Sequence, residues 1–122
     1  VLFDVRVLPV GDWDVLCVVG DVDLATVPAL RQSLDRLEAP SAAIDLSGVD
    51  YLDPVALGVL LVGSLRAARS GGRFAVVCPA GPARDLLVET GVERILTVVD
   101  DQRSLPPPAP PPPSRPSRPP VS

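Results

Sequence analysis

The 122-residue chain contains no histidine, no lysine and no methionine. Without histidine it lacks the side chain that most often moves protons near neutral pH, and without lysine the usual amine nucleophile and phosphate-binding point charge. There is no GxxxxGK[ST] loop, no GxGxxG behind a strand and no GxSxG serine elbow. Cysteine is scarce: Cys17 and Cys78 each fall in an apolar strand-like run and read as buried free thiols. Two cysteines without histidine make no metal site. Long apolar runs are missing as well. The longest, residues 56–62, contains Gly58 and is too short to cross a bilayer, so no membrane insertion is expected. Asp4 and Arg6 interrupt the stretch where a secretory leader needs its apolar centre, and the expected location is the reducing cytoplasm.

Charge and proline divide the chain at one place. Residues 1–101 carry all fifteen acidic residues against eight arginines, a net of −7, whereas residues 102–122 carry three arginines and no acid. An acidic domain with no basic patch speaks against nucleic-acid binding. From Pro106 the sequence reads PPPAPPPPSRPSRPPVS, which lacks backbone donors and favours extended polyproline geometry over a packed core. The expected organisation is a folded domain over 1–101 and a disordered proline-rich tail over 102–122.

Within the domain, residues 2–8 alternate as a half-exposed edge strand, residues 9–12 read as a turn, and 14–19 as a more central strand. Residues 20–23 close that strand. A helix over 25–37 follows, with Val27, Leu30, Leu34 and Leu37 on one face; Thr26 and Pro28 offer a second start one turn later. A buried strand at 42–46 leads through a turn at 47–52 into a helix over 54–69, with Asp53 as N-cap and Pro54 at the first helical position. Residues 70–72 stop it, and a strand at 73–78, a helix at 83–90 and a last strand at 95–99 complete the order β-β-α-β-α-β-α-β. The expected fold is α/β: a mixed sheet with an antiparallel edge strand and helices supplied by right-handed β-α-β crossovers.

Carboxylates dominate the residues that could act. Asp45, Asp50 and Asp53 lie near the end of one strand and are hard-cation ligands in type, but Asp53 reads as a cap and Asp50 as a turn residue, so no metal or other cofactor is expected. If the second and third strands are parallel, Asp21, Asp23, Asp50 and Asp53 open on the same edge of the sheet. They then form an acidic rim around the start of the helix at Pro54, to which Val55, Leu57 and Val59 add apolar surface.

The segments GDVDLATVPALRQSL, AIDLSGVDYLDPVALGVLL and RAARSGGRFAVVCPAGPARDLLVETGVERILTVVDD, within residues 20–101, resemble the STAS domain of bacterial anti-sigma factor antagonists. The resemblance implies a small α/β fold that binds an anti-sigma factor, itself a serine kinase-like protein of GHKL type, and so frees a sigma factor for transcription. It also implies a switch, in which the kinase phosphorylates the second serine of an Asp-Ser-Ser-Gly motif at the start of the second helix. Here the motif reads Asp53, Pro54, Val55, Ala56, so Val55 stands at the acceptor position and carries no hydroxyl. Ser47 and Ser64 are poor substitutes, Thr26 at the start of the first helix is a less poor one, and Ser114 and Ser117 lie in the tail. The expectation is a non-enzymatic antagonist that is not switched at the usual serine, docking through Asp21, Asp23, Asp50, Asp53, Pro54, Val55 and Leu57. The alternative is a STAS-like adaptor of a transporter or sensory complex whose tail meets a polyproline reader.

Overall fold

The computed structural model describes residues 3–107. Two apolar runs flank Gly11 and Asp12 and pair antiparallel as β1 (Asp4–Val10) and β2 (Trp13–Val22), with Val10 opposite Trp13. A two-residue hairpin turn of this kind needs a positive φ at its first position, and Gly11 supplies it at 59°. β1 therefore continues through Pro9 and Val10, which the sequence suggested for the turn. Proline is tolerated there because β1 is an edge strand.

From β2 onward every pairing is parallel, and the sheet order β1-β2-β3-β4-β5 follows the chain, with β3 at Ser41–Leu52, β4 at Arg73–Val77 and β5 at Thr97–Val99. Right-handed crossovers that always step the same way leave their helices on one face. That face carries α1 (Val27–Asp35), α2 (Ala56–Arg69), α3 (Pro82–Glu89) and the single-turn α4 (Val92–Ile95). Leu30, Leu60, Leu87 and Val92 from these helices form one core with Leu16, Val18, Ile44 and Val76 of the sheet. α2 stops where the amides of Gly71 and Gly72 return to the carbonyls of Ala68 and Ala67. A Cβ on Gly72 would stand 1.9 Å from the Pro40 carbonyl oxygen, so the chain passes there only as glycine. No helix among the described residues is long and apolar enough to cross a membrane.

Three expectations need correction. β3 does not end at Leu46: residues 47–52 are strand, accommodated by register shifts against β2. The last strand is Thr97–Val99 only, because Gly91 turns the chain into α4 and leaves Ile95 exposed. The folded unit does not stop at Asp101. Residues 102–104 make a 3₁₀ turn, Leu105 is buried, and the segment lies on the sheet face that has no helix, against Trp13, Val15, Ala43, Ala75 and Val77. The rest of the expected tail, residues 108–122, lies outside the described residues.

Candidate docking surface

Because β2 and β3 are parallel, their carboxyl ends leave the sheet at one edge. Asp21 stands opposite Tyr51 and Val22 opposite Leu52, and the amide of Asp53 continues the ladder by donating to the Val22 carbonyl at 2.8 Å. The expected edge therefore forms, but on longer strands. Cys17 faces Asp45 and Val19 faces Gly48, so β3 carries one extra residue there; Gly20 faces Val49 and Asp21 faces Tyr51, so it carries another at Asp50. Bulges of this kind re-aim side chains next to working surfaces.

Asp23 and Asp53 each build the entry to a helix. The Asp23 carboxylate accepts from the amides of Ala25 and Thr26 at 3.0 and 3.1 Å, while the Thr26 hydroxyl accepts from the Asp23 amide and donates to the Asp21 carbonyl. α1 accordingly begins at Val27, the later of the two starts open in the sequence. The Asp53 carboxylate accepts from the Val55 amide at 2.9 Å in a turn ahead of the helix; the N-cap expected at Asp53 falls instead on Val55, whose side chain makes no cap bond, and the regular helix begins at Ala56 rather than at Pro54. Val55 is 40% exposed, Pro54 is exposed, Leu57 is half-buried on the core, and Val59 is core.

Tyr51 is the residue that sequence reasoning missed. It is 52% exposed, and its hydroxyl lies 3.4 Å from Asp53 Oδ2. Its pKa is held above the ordinary phenol value, first by the Asp53 charge, then by desolvation, the hydrogen bond to Asp53, and the charges of Asp23 and Asp21. Three of the four rim aspartates thus gather around one phenol; Asp50 is exposed in its bulge and does not act on it. Leu24, at 74% exposure, and Val19 add apolar surface to β2 and the turn that follows it. The one hint was the DYLD sequence itself, in which Tyr51 lies two residues before Asp53. No salt bridge among the described residues involves Asp21, Asp23, Asp50 or Asp53; the paired arginines 6, 66, 73 and 84 serve other carboxylates.

Asp45 does not join Asp50 and Asp53. It is 7% exposed on the helix-free face, accepting from Gln102 Nε2 at 2.6 Å and from the Ser47 amide at 2.8 Å. Among the described residues no three histidine, cysteine, aspartate or glutamate side chains gather as a metal site. Cys17 and Cys78 are free thiols whose pKa values burial raises.

A mixed sheet with the described helices packed on one face is an α/β architecture built from β-α-β crossovers behind an edge hairpin. Residues 10–99 match the family model described as Mlab, STAS domain, and the chain belongs to the STAS family. No curated protein matches it in sequence. Among solved structures it is similar to an anti-sigma factor antagonist from Mycobacterium paratuberculosis, with a TM-score of 0.77 and 26% identity over 84% of this chain and 89% of that one. A Thermotoga maritima protein described as a candidate anti-sigma factor antagonist superposes with a TM-score of 0.70 at 23% identity, over 83% of this chain and 88% of that one. The Bacillus cell fate determinant SpoIIAA in its phosphorylated form gives 0.62 at 13% identity, over 84% and 95%. The last two share the fold with this chain.

Proposed function

We propose that this chain is an anti-sigma factor antagonist-like regulator that binds a kinase-like anti-sigma factor and is not switched by phosphorylation at the usual position. It acts in the cytoplasm by binding rather than catalysis. The observation that carries this reading is the rim of Asp21, Asp23 and Asp53 around Tyr51, with Leu24 and Val55 exposed beside it and no arginine among the described residues neutralising it. Such a surface presents acceptors and apolar islands, and its complement is a basic patch with an apolar centre. The likeness to the mycobacterial antagonist supports the partner class.

The test is binding to purified kinase-like anti-sigma factors by wild type and by Asp21→Lys, which reverses a rim charge without touching a helix cap. The variant should bind at least about ten-fold more weakly, since truncation or reversal within a charge-complementary interface costs more than 1.4 kcal/mol. Binding to none of these partners by wild type, or equal binding by both proteins, overturns the reading. The adaptor reading draws on the proline-rich sequence after Pro107. If it holds, removing residues 108–122 abolishes the principal interaction; the antagonist reading expects that deletion to leave anti-sigma binding intact.

A further inference from the structure

The helix-free face of the sheet ends, at the amino edge of its parallel strands, in three residues that stand side by side: Trp13 on β2, Ser41 on β3 and Arg73 on β4. All three guanidinium nitrogens of Arg73 are engaged. Nε donates to Ser41 Oγ at 3.1 Å, Nη2 to Asp12, and Nη1 to the carbonyls of Pro106 and Pro107 at 3.2 and 2.8 Å. Its guanidinium lies 4.5 Å from the centre of the Trp13 ring, and the Trp13 indole N–H donates to the same Pro106 carbonyl at 2.9 Å. Trp13 is buried with the segment in place, packed with Leu105, Val15 and Ala43.

What Trp13 and Arg73 offer is donors only, and what they meet is acceptors only. Pro106 and Pro107 have no amide hydrogen, and each is followed by another proline, so their carbonyls have no partner within an extended polyproline chain. An indole N–H and an aromatic wall are the means by which polyproline grooves read that backbone. We propose that Trp13 and Arg73 form a binding site for proline-rich backbone, and that the chain fills it in cis with Pro106–Pro107. The polyproline reader that the adaptor alternative placed on another protein is, in this proposal, on the chain's own domain. The segment becomes a latch: Gln102 is tied to Asp45, Leu105 fills the apolar face, and the two proline carbonyls close it at the far edge.

Trypsin gives a direct measure on the full chain. Arg115 and Arg118 are each followed by proline, which trypsin does not cleave, so release of residues 104–122 as one peptide reports opening at Arg103 alone. Trp13→Phe keeps the ring and removes the N–H; it should speed that release about five-fold, the equivalent of one net hydrogen bond, relative to cleavage after Arg36. Replacing Pro106 and Pro107 together with glycine keeps both carbonyls but loses the fixed extended backbone that presents them, and should also speed release relative to cleavage after Arg36. Release at the wild-type rate in both variants, or a change that merely follows cleavage after Arg36, overturns the latch. In the Pro106→Gly, Pro107→Gly variant, added PPPAPPPP peptide should shift the emission of Trp13, the only tryptophan, to saturation; no saturable shift overturns the ligand class.

Discussion

Under the proposed reading, Val55 stands where the switch implied by the family resemblance would need a hydroxyl. The Asp53 carboxylate already holds the Val55 amide, so the backbone that would present an acceptor at a helix start is built, and only the side-chain oxygen is missing. Val55→Ser should therefore take up phosphate, read as one added group in the intact mass, when incubated with ATP and the kinase-like partner, and wild type should not. A phosphoryl dianion beside Asp53 and Tyr51 would then weaken docking by like-charge repulsion. Tyr51 supplies a second readout because it is the only tyrosine. Its ionisation, followed by ultraviolet absorbance, should fall toward the ordinary phenol value in Asp53→Asn, since the Asp53 charge is the first cause of the upward shift. The sign for stability follows: the tyrosine's contribution is full below pH about 10, where the unfolded chain begins to release the proton, and is lost as pH rises through the folded-state value. Gly72 tests packing instead. Gly72→Ala should lower stability by about 1–3 kcal/mol, the usual range for overpacking, because the Pro40 carbonyl blocks the new methyl. The bond from Asp53 at the helix entry was legible in the sequence, although the regular helix starts at Ala56 and leaves Pro54 outside it. The sequence did not show Tyr51, because an aromatic between two aspartates looks the same whether its ring is core or rim.

The elements whose apolar residues repeat cleanly were legible: the edge hairpin, α1, α2, α3 and the parallel pairing of β2, β3 and β4 all lie where periodicity put them within a few residues. Propensity stops β3 six residues short because Ser47, Gly48 and Asp50 are turn formers. Two bulges absorb them, and pairing with β2, a long-range contact, overrides local preference. β5 is the opposite case, with three residues to hold it and a neighbour on one side only. Arg84 secures that edge. It donates to the Cys78 carbonyl at 2.7 Å, to Glu93 at 3.0 Å and to Asp100 at 3.0 Å, joining the ends of β4, α4 and β5. The Asp100 pair contributes little, since Asp100 is 80% exposed and screened. The Glu93 and Cys78 bonds are more sheltered, so Arg84→Met should cost about 1.5–3 kcal/mol, read as a lower urea midpoint at unchanged slope.

Taken together, the fold separates two surfaces. The acidic rim stands at the carboxyl ends of β2 and β3, and the Trp13–Arg73 pair stands at their amino ends, so occupying one leaves the other open. Proline and charge alone put the domain boundary at Asp101. Between it and the first prolines only Leu105 is apolar, and its burial depends on Trp13, nearly the whole domain away in sequence. The charge division between domain and tail has a kinetic consequence as well. A domain with net −7 over residues 1–101, and a rim free of described salt bridges, should attract a basic partner over distances comparable to the Debye length, about 8 Å at physiological salt. Neutralising Asp21 and Asp50 to asparagine leaves both helix entries intact, because the carboxylates that bond there are those of Asp23 and Asp53. The double variant should associate several-fold more slowly at low salt, with a shallower salt dependence and a dissociation rate close to wild type, since exposed rim charges act mainly on encounter. Stopped-flow association at a series of salt concentrations measures both quantities. An association rate that neither salt nor the two asparagines alter would move the docking surface away from the rim.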